Sequence, residues 1–94
     1  MQVTDKIVVS EDVVAREVAG ETVLLNLASG TYFGLDAIGG TIWQWLESGD
    51  CQNLAELAEK LIREYDVSRD DAEADLLALA AELAEHHLIA LQSS

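Results

Sequence analysis

Two hydrophobic periods divide the chain near Asp36. Before it, short aliphatic runs are separated by turn residues. Val13 to Val18 and Val23 to Leu27 flank Ala19-Gly20-Glu21-Thr22, which predicts an antiparallel hairpin. Ala28-Ser29-Gly30 is a second short turn, with a glycine free to take positive φ, and Thr31 to Leu35 is a third strand-like run rich in β-branched and aromatic residues. These runs predict a three-stranded meander. Alternation places Leu25 and Leu27 on the face opposite Leu24, and Tyr32 opposite Phe33, so both faces carry apolar side chains and a helix is expected over one of them. Ile7-Val8-Val9 reads as a first strand or an arm laid along the sheet.

After Asp36 the apolar spacing becomes helical. Asp36 caps a first helix with Ile38, Ile42, Trp45 and Leu46 on its stripe and Trp43 on another side; it should stop near Ser48-Gly49-Asp50. Gly39-Gly40 inside it predicts close approach of another element, because each glycine costs about 0.5–1 kcal/mol relative to alanine in a helix. Asn53 with Glu56 three positions later opens a second helix, with Leu54, Leu57, Ala58, Leu61 and Ile62 as its stripe and Glu59 facing Arg63. It ends at Tyr65-Asp66-Val67. Ser68 then caps a third helix, about Arg69 to His87, with Asp70, Asp71 and Glu73 in the first turn. Ala72, Leu76, Leu79, Ala80 and Leu83 form one stripe, while Leu77, Ala81, Ala84 and Leu88 widen it beyond the ~100° that one contact needs. The wide sector fits either a central buried helix or a helix with two partners. His86 and His87 read as last-turn residues complementing the helix dipole. Leu88 to Leu91 predicts a closing strand or apolar tail, and Gln92-Ser93-Ser94 a mobile end.

Length and composition narrow the class. Ninety-four residues, 50% of them apolar and none proline, predict a single folded α+β domain over residues 1–94. No run approaches the roughly 18 apolar residues of a membrane span, and the first ten residues do not read as a signal peptide, so a cytoplasmic protein is expected. The 18 acidic and 5 basic residues give a net charge of −13. Phosphate backbones and anionic membranes are therefore poor partners, since the cations are scattered among nearby acids. The acidity serves solubility or steers a basic partner.

No catalytic constellation emerges. A nucleophile with its base, a metal set or a phosphate loop are all missing from the pattern, and no cofactor is expected. The single Cys51 follows Asp50, a neighbour that raises a thiol pKa. What remains is the third strand. If Thr31 to Leu35 ends the sheet, one side of it is unpaired and is a template for another peptide. The expectation is a binding module rather than an enzyme.

Three strands followed by three helices and a short strand is a winged helix-turn-helix-like order, which leaves a regulator or adaptor in transcription as one reading. The residues favour another. Val23-Leu24-Leu25-Asn26-Leu27, Gly30-Thr31-Tyr32-Phe33-Gly34-Leu35-Asp36, Gly39-Gly40-Thr41-Ile42-Trp43 and Leu57 to Tyr65 resemble the PqqD-like family, the peptide-recognition domains of ribosomally made, modified peptides. The resemblance covers about Val13 to Leu91. It implies a precursor's leader peptide that adds as a strand along Thr31, Tyr32, Phe33, Gly34 and Leu35 and packs into a groove on the third helix, with Ala72, Asp75, Leu76, Leu79, Glu82 and Leu83 as candidate groove residues. Members serving pyrroloquinoline quinone formation, which bind their own precursor peptide, usually carry cysteine-aspartate-glycine after the first helix. Here Glu47-Ser48-Gly49 stands in that place. The chain is thus most similar to the stand-alone proteins of lasso-peptide pathways, which implies a separate cysteine protease as partner and admits a cyclase. On this reading a proline at Thr31 or Phe33 should remove the peptide-binding edge.

Overall fold

A computed structural model describes residues 2–92. It has the α+β architecture expected, a three-stranded antiparallel sheet and three helices, with a second small sheet added. Strands β2 (Val13–Val18), β3 (Glu21–Asn26) and β4 (Thr31–Leu35) form the meander. The first hairpin closes on a two-residue turn, Ala19 at φ 53° and Gly20 at φ 84°, so β3 begins at Glu21, earlier than the sequence suggested. Both turn residues are left-handed, which matches the twist of the paired strands. In the second hairpin Gly30 takes φ 74° and its N–H donates to Asn26 O at 2.8 Å. Leu27 was expected in the strand but lies in this turn and is exposed.

The reason is Asn26. Its buried side chain accepts from the Ala28 and Ser29 amides at 3.0 and 3.3 Å, which bends the chain one residue before Leu27. Its Nδ2 donates to His87 O at 3.4 Å, tying the hairpin to the far end of the chain.

Strand β1 (Lys6–Val9) does not join the meander. It pairs antiparallel with β5 (Ile89–Gln92), Ile7 opposite Leu91 and Val9 opposite Ile89, so both terminal runs are strands. Gln92 closes β5; Ser93 and Ser94 of the expected mobile end lie outside the described residues.

Helix α1 (Ala37–Glu47) is capped by Asp36, whose Oδ1 accepts from Gly39 N at 2.7 Å. Its buried residues are Gly39, Gly40, Ile42, Trp43 and Leu46. The expected stripe was rotated. Trp43 is 1% exposed and central to the core, whereas Ile38 is 47% exposed. The glycine pair fixes this rotation, because a Cβ on Gly40 would overlap Thr22 Oγ1 of β3. The helix therefore turns its bare backbone to the sheet, and the residues a turn further on follow it inward.

Helix α2 (Leu54–Glu64) is capped by Asn53 Oδ1, which accepts from Glu56 N at 2.9 Å, and α3 (Arg69–Glu85) by Ser68, which accepts from Asp71 N. Glu59 does not pair with Arg63 as its spacing suggested. It pairs with Arg69 on α3, which also lies 3.7 Å from Glu73. This partner holds the Glu59 carboxyl below the usual carboxylate range, mainly through the hydrogen bond. Helices α2 and α3 pack on each other, and Leu54, Leu57, Leu76, Leu83 and Leu88 join Leu24 and Trp43 in the core.

Helix α3 ends at Glu85, with both histidines beyond it. His86 is the C-cap, and His87 takes φ 59°. Leu88 N donates to Leu83 O at 2.9 Å and His87 N to Ala84 O at 3.1 Å, a Schellman closure in which histidine stands where glycine is usual. Cys51 is buried, and its thiol is raised first by burial, with Lys60 opposing and Glu56 and Asp50 adding to the shift. Its acidic neighbours are thus the smaller cause.

Candidate functional site

Strand β4 is an edge: the sheet order β2-β3-β4 leaves its outer side without a strand partner among the described residues. Which of its backbone groups are free follows from the register. A two-residue hairpin closes on a pair that exchanges both hydrogen bonds, here Val18 and Glu21. Direction alternates along a strand, so Glu21, Val23 and Leu25 face β2, while Thr22, Leu24 and Asn26 bond β4 through Leu35, Phe33 and Thr31. The amides and carbonyls of Tyr32 and Gly34 therefore point to the open edge. Proline at Thr31 or Phe33 would break the native ladder to β3 instead; Gly34 is the position that tests the edge.

The same pleat sorts the side chains. Phe33 and Leu35 share the inner face with Leu24, and Tyr32, 77% exposed, stands on the outer face. Beneath the open edge, between β4 and α3, lies a cleft of about 390 Å³. Phe33, Gly34 and Leu35 line it from β4, and Ala72, Asp75, Leu76, Leu79 and Glu82 from α3. Asp36, the cap of α1, closes it with Ile38, Gly39 and Ile42 of that helix, and Leu61, Tyr65 and Val67 close it from the end of α2 and the turn after it.

Of the candidate residues, three fall outside the cleft. Thr31 is exposed, its hydroxyl 2.7 Å from Ser29 Oγ, and Tyr32 reaches the edge only through its backbone. Leu83 is 2% exposed and faces the interior beside Ile7 and Ile89, one helical turn beyond Leu79 on α3. Sequence reasoning missed the α1 and α2 contributions. By spacing alone Ile38 falls on the apolar stripe of the first helix, and Tyr65 and Val67 read as a helix stop, although two apolar residues in a turn are a signal of a covered surface.

The cleft floor is aliphatic and its rim is acidic. Asp36, Asp75 and Glu82 are exposed carboxylates, and neither lysine nor arginine is among the described residues lining the cleft. At one end the Phe33 ring packs against His86, ring centroids 5.1 Å apart and planes tilted by 50°. Among the described residues no group of histidine, cysteine or acidic side chains could hold a metal ion, and no helix is long and apolar enough to cross a membrane. The arrangement offers main-chain hydrogen bonds along a strand, an apolar trough beside it, and negative potential at the rim.

Those are the features of a peptide-recognition domain. Residues 21–89 match the family model described as coenzyme PQQ synthesis protein D (PqqD), and the chain belongs to that family. Two solved structures share its fold. TbiB1 in complex with the TbiA(beta) leader peptide is 39% identical over 93% of this chain and 96% of that one, with a TM-score of 0.79. Lasso peptide synthetase B1 complexed with the leader peptide is 30% identical over 90% and 98%, with a TM-score of 0.78. Comparison with curated proteins finds no significant match.

Proposed function

We propose that this chain, as one domain over residues 1–94, binds the leader peptide of a ribosomally synthesised precursor by strand addition to β4. The single observation that carries this is the coincidence of an open strand edge, offered by Tyr32 and Gly34, with the cleft beneath it. An added strand would place its residues opposite Phe33 and Leu35 on the inner face, where their side chains enter the cleft over Leu76 and Leu79. Residues between them would point to the outer face beside Tyr32. The leader complexes formed by TbiB1 and by lasso peptide synthetase B1 support the same ligand class here.

The role is recognition and delivery in the cytoplasm, with cleavage performed by a separate cysteine protease and closure of the product by a cyclase. The chain itself contributes no catalytic group. A second reading, binding of the pyrroloquinoline quinone precursor peptide, is favoured by the family description. Against it stands Glu47-Ser48-Gly49 at the end of α1.

Fluorescence anisotropy with labelled TbiA(beta) leader, and with leaders of precursors encoded beside this gene, tests the reading. The expected affinity is about micromolar or tighter, roughly −8 kcal/mol. Failure of every such leader to bind would overturn it, and preference for the quinone-cofactor precursor would select the second reading.

A further inference from the structure

We infer that His86 is a positioning residue of the leader cleft, holding the Phe33 ring as the wall at one end. The inference rests on the peptide-binding reading of the cleft and goes on to say what sets its shape. Phe33 is the one aromatic side chain that β4 contributes to the cleft, and it is only half-buried. An aromatic ring at an open edge has several rotamers available unless something packs against it. His86 supplies that packing at 5.1 Å between centroids, in the tilted arrangement that aromatic pairs prefer.

The end of α3 is built to deliver this ring. His86 leaves the helix as its C-cap, and the chain then reverses through His87 at φ 59°, a conformation uncommon for a side-chain-bearing residue. The reversal turns the His87 carbonyl to Asn26 Nδ2 at 3.4 Å. Asn26 is opposite Thr31, two residues along β4 from Phe33. Two separate ties, one side chain to backbone and one ring to ring, therefore join α3 to the β3–β4 hairpin at the same end of the cleft. Neither histidine lines the cleft itself, so a list of contacts to a bound peptide would miss both.

The test is a double-mutant cycle on the full chain with leader variants. His86→Ala should weaken binding of the leader that the wild type binds by roughly two- to tenfold, the worth of one aromatic pair. The effect should vanish in a Phe33→Ala background, and His86→Phe should restore it. An alanine scan of the leader should show that His86→Ala erases selectivity at one leader position, the one opposite Phe33, and leaves the others unchanged. General loosening of the fold would lower all positions together, and a thermal melt reports that separately. The Phe33 ring resonances, followed by NMR without peptide, should shift in His86→Ala and return in His86→Phe. Because that arm needs no ligand, absence of any leader binding would overturn the functional reading while the ring packing was still measured. Unchanged Phe33 resonances, or additive losses in the cycle, would overturn the role of His86.

Discussion

Among the described residues the meander has two open edges, β2 and β4, and only one of them is a candidate site. Both strands carry unpaired backbone groups: Tyr32 and Gly34 on β4, and by the same alternation Val13, Ala15 and Glu17 on β2. The difference lies in what covers the sheet beside them. Under β4 run α3 and the start of α1, set back from the strand so that a cleft remains. Under β2 there is no such cover, and from Val14 to Val18 every residue is exposed on both faces. A peptide on β2 would gain main-chain bonds but bury little apolar surface, and the net worth of such bonds is only about 0.5–1.5 kcal/mol each because water is displaced to form them. On the proposed reading, the edge supplies the register and the cleft the affinity and the choice of sequence.

Proline substitution breaks this comparison most sharply. Gly34→Pro removes one outward N–H and leaves a peptide carbonyl unpaired, a combined loss of about 2–3 kcal/mol, so leader affinity should fall about 100-fold by anisotropy. Gly34→Ala is the control. A Cβ there meets nothing within 4 Å, so binding should be kept. On the other edge, Ala15→Pro should leave affinity unchanged. Equal losses from proline at Ala15 and at Gly34 would show that the peptide does not add to β4.

Next in size is the cleft. Leu79 is half-buried on its α3 wall while Leu76 beneath is 1% exposed, so the two separate binding from folding. Leu79→Asp should weaken leader binding at least tenfold and lower the melting temperature only in part, since Leu79 is half-buried and packs on the edge of the core. Leu76→Ala should cost about 2–5 kcal/mol of stability, as large-to-small changes in packed cores do, and lower the melt accordingly. Loss of binding in Leu76→Ala at a temperature where it remains folded would still be a cleft effect. No loss in Leu79→Asp would remove the cleft from the site.

How much of this was legible beforehand differs between the two regions in the same way. The strands, the turn glycine at Gly30 and all three helix caps followed from local chemistry, because each depends on a few adjacent residues. The width of the third helix's apolar sector is legible from spacing, and the structure divides it between the cleft, which half-buried Leu79 lines with Leu76 beneath it, and the core, where Leu83 lies. What sequence spacing misplaced were rotations and long-range partners. Ile38 and Trp43 exchanged roles because the glycine pair, rather than the largest apolar residues, decides which side of α1 meets the sheet. Asn26 looked like one polar residue in a strand, and its bond to His87, sixty-one positions away, has no local signature. The union of β1 with β5 is of the same kind: both runs were visible, and their pairing was not.

The smallest expected effect concerns charge. Asp75 and Glu82 project from α3 at the cleft rim, both exposed, and the net charge of −13 gives the protein a negative field over most of its surface. Near β4 that field is concentrated beside an apolar trough, so a leader with a lysine or arginine flanking its apolar residues would meet complementary potential. The charges are in water and screened within a Debye length, about 10 Å at 0.1 M salt, so each contributes tenths of a kcal/mol up to about 1 kcal/mol. Raising salt from 0.05 to 0.5 M should therefore weaken binding of a cationic leader by a few fold, chiefly through the association rate. Asp75→Asn with Glu82→Gln should flatten that salt dependence, whereas Glu11→Gln with Glu17→Gln near β2 should leave it as in the wild type. If the two pairs behave alike, the field belongs to the whole molecule and serves solubility. A flattening confined to the α3 pair would place the electrostatic preference, like the apolar one, on the β4 side of the sheet.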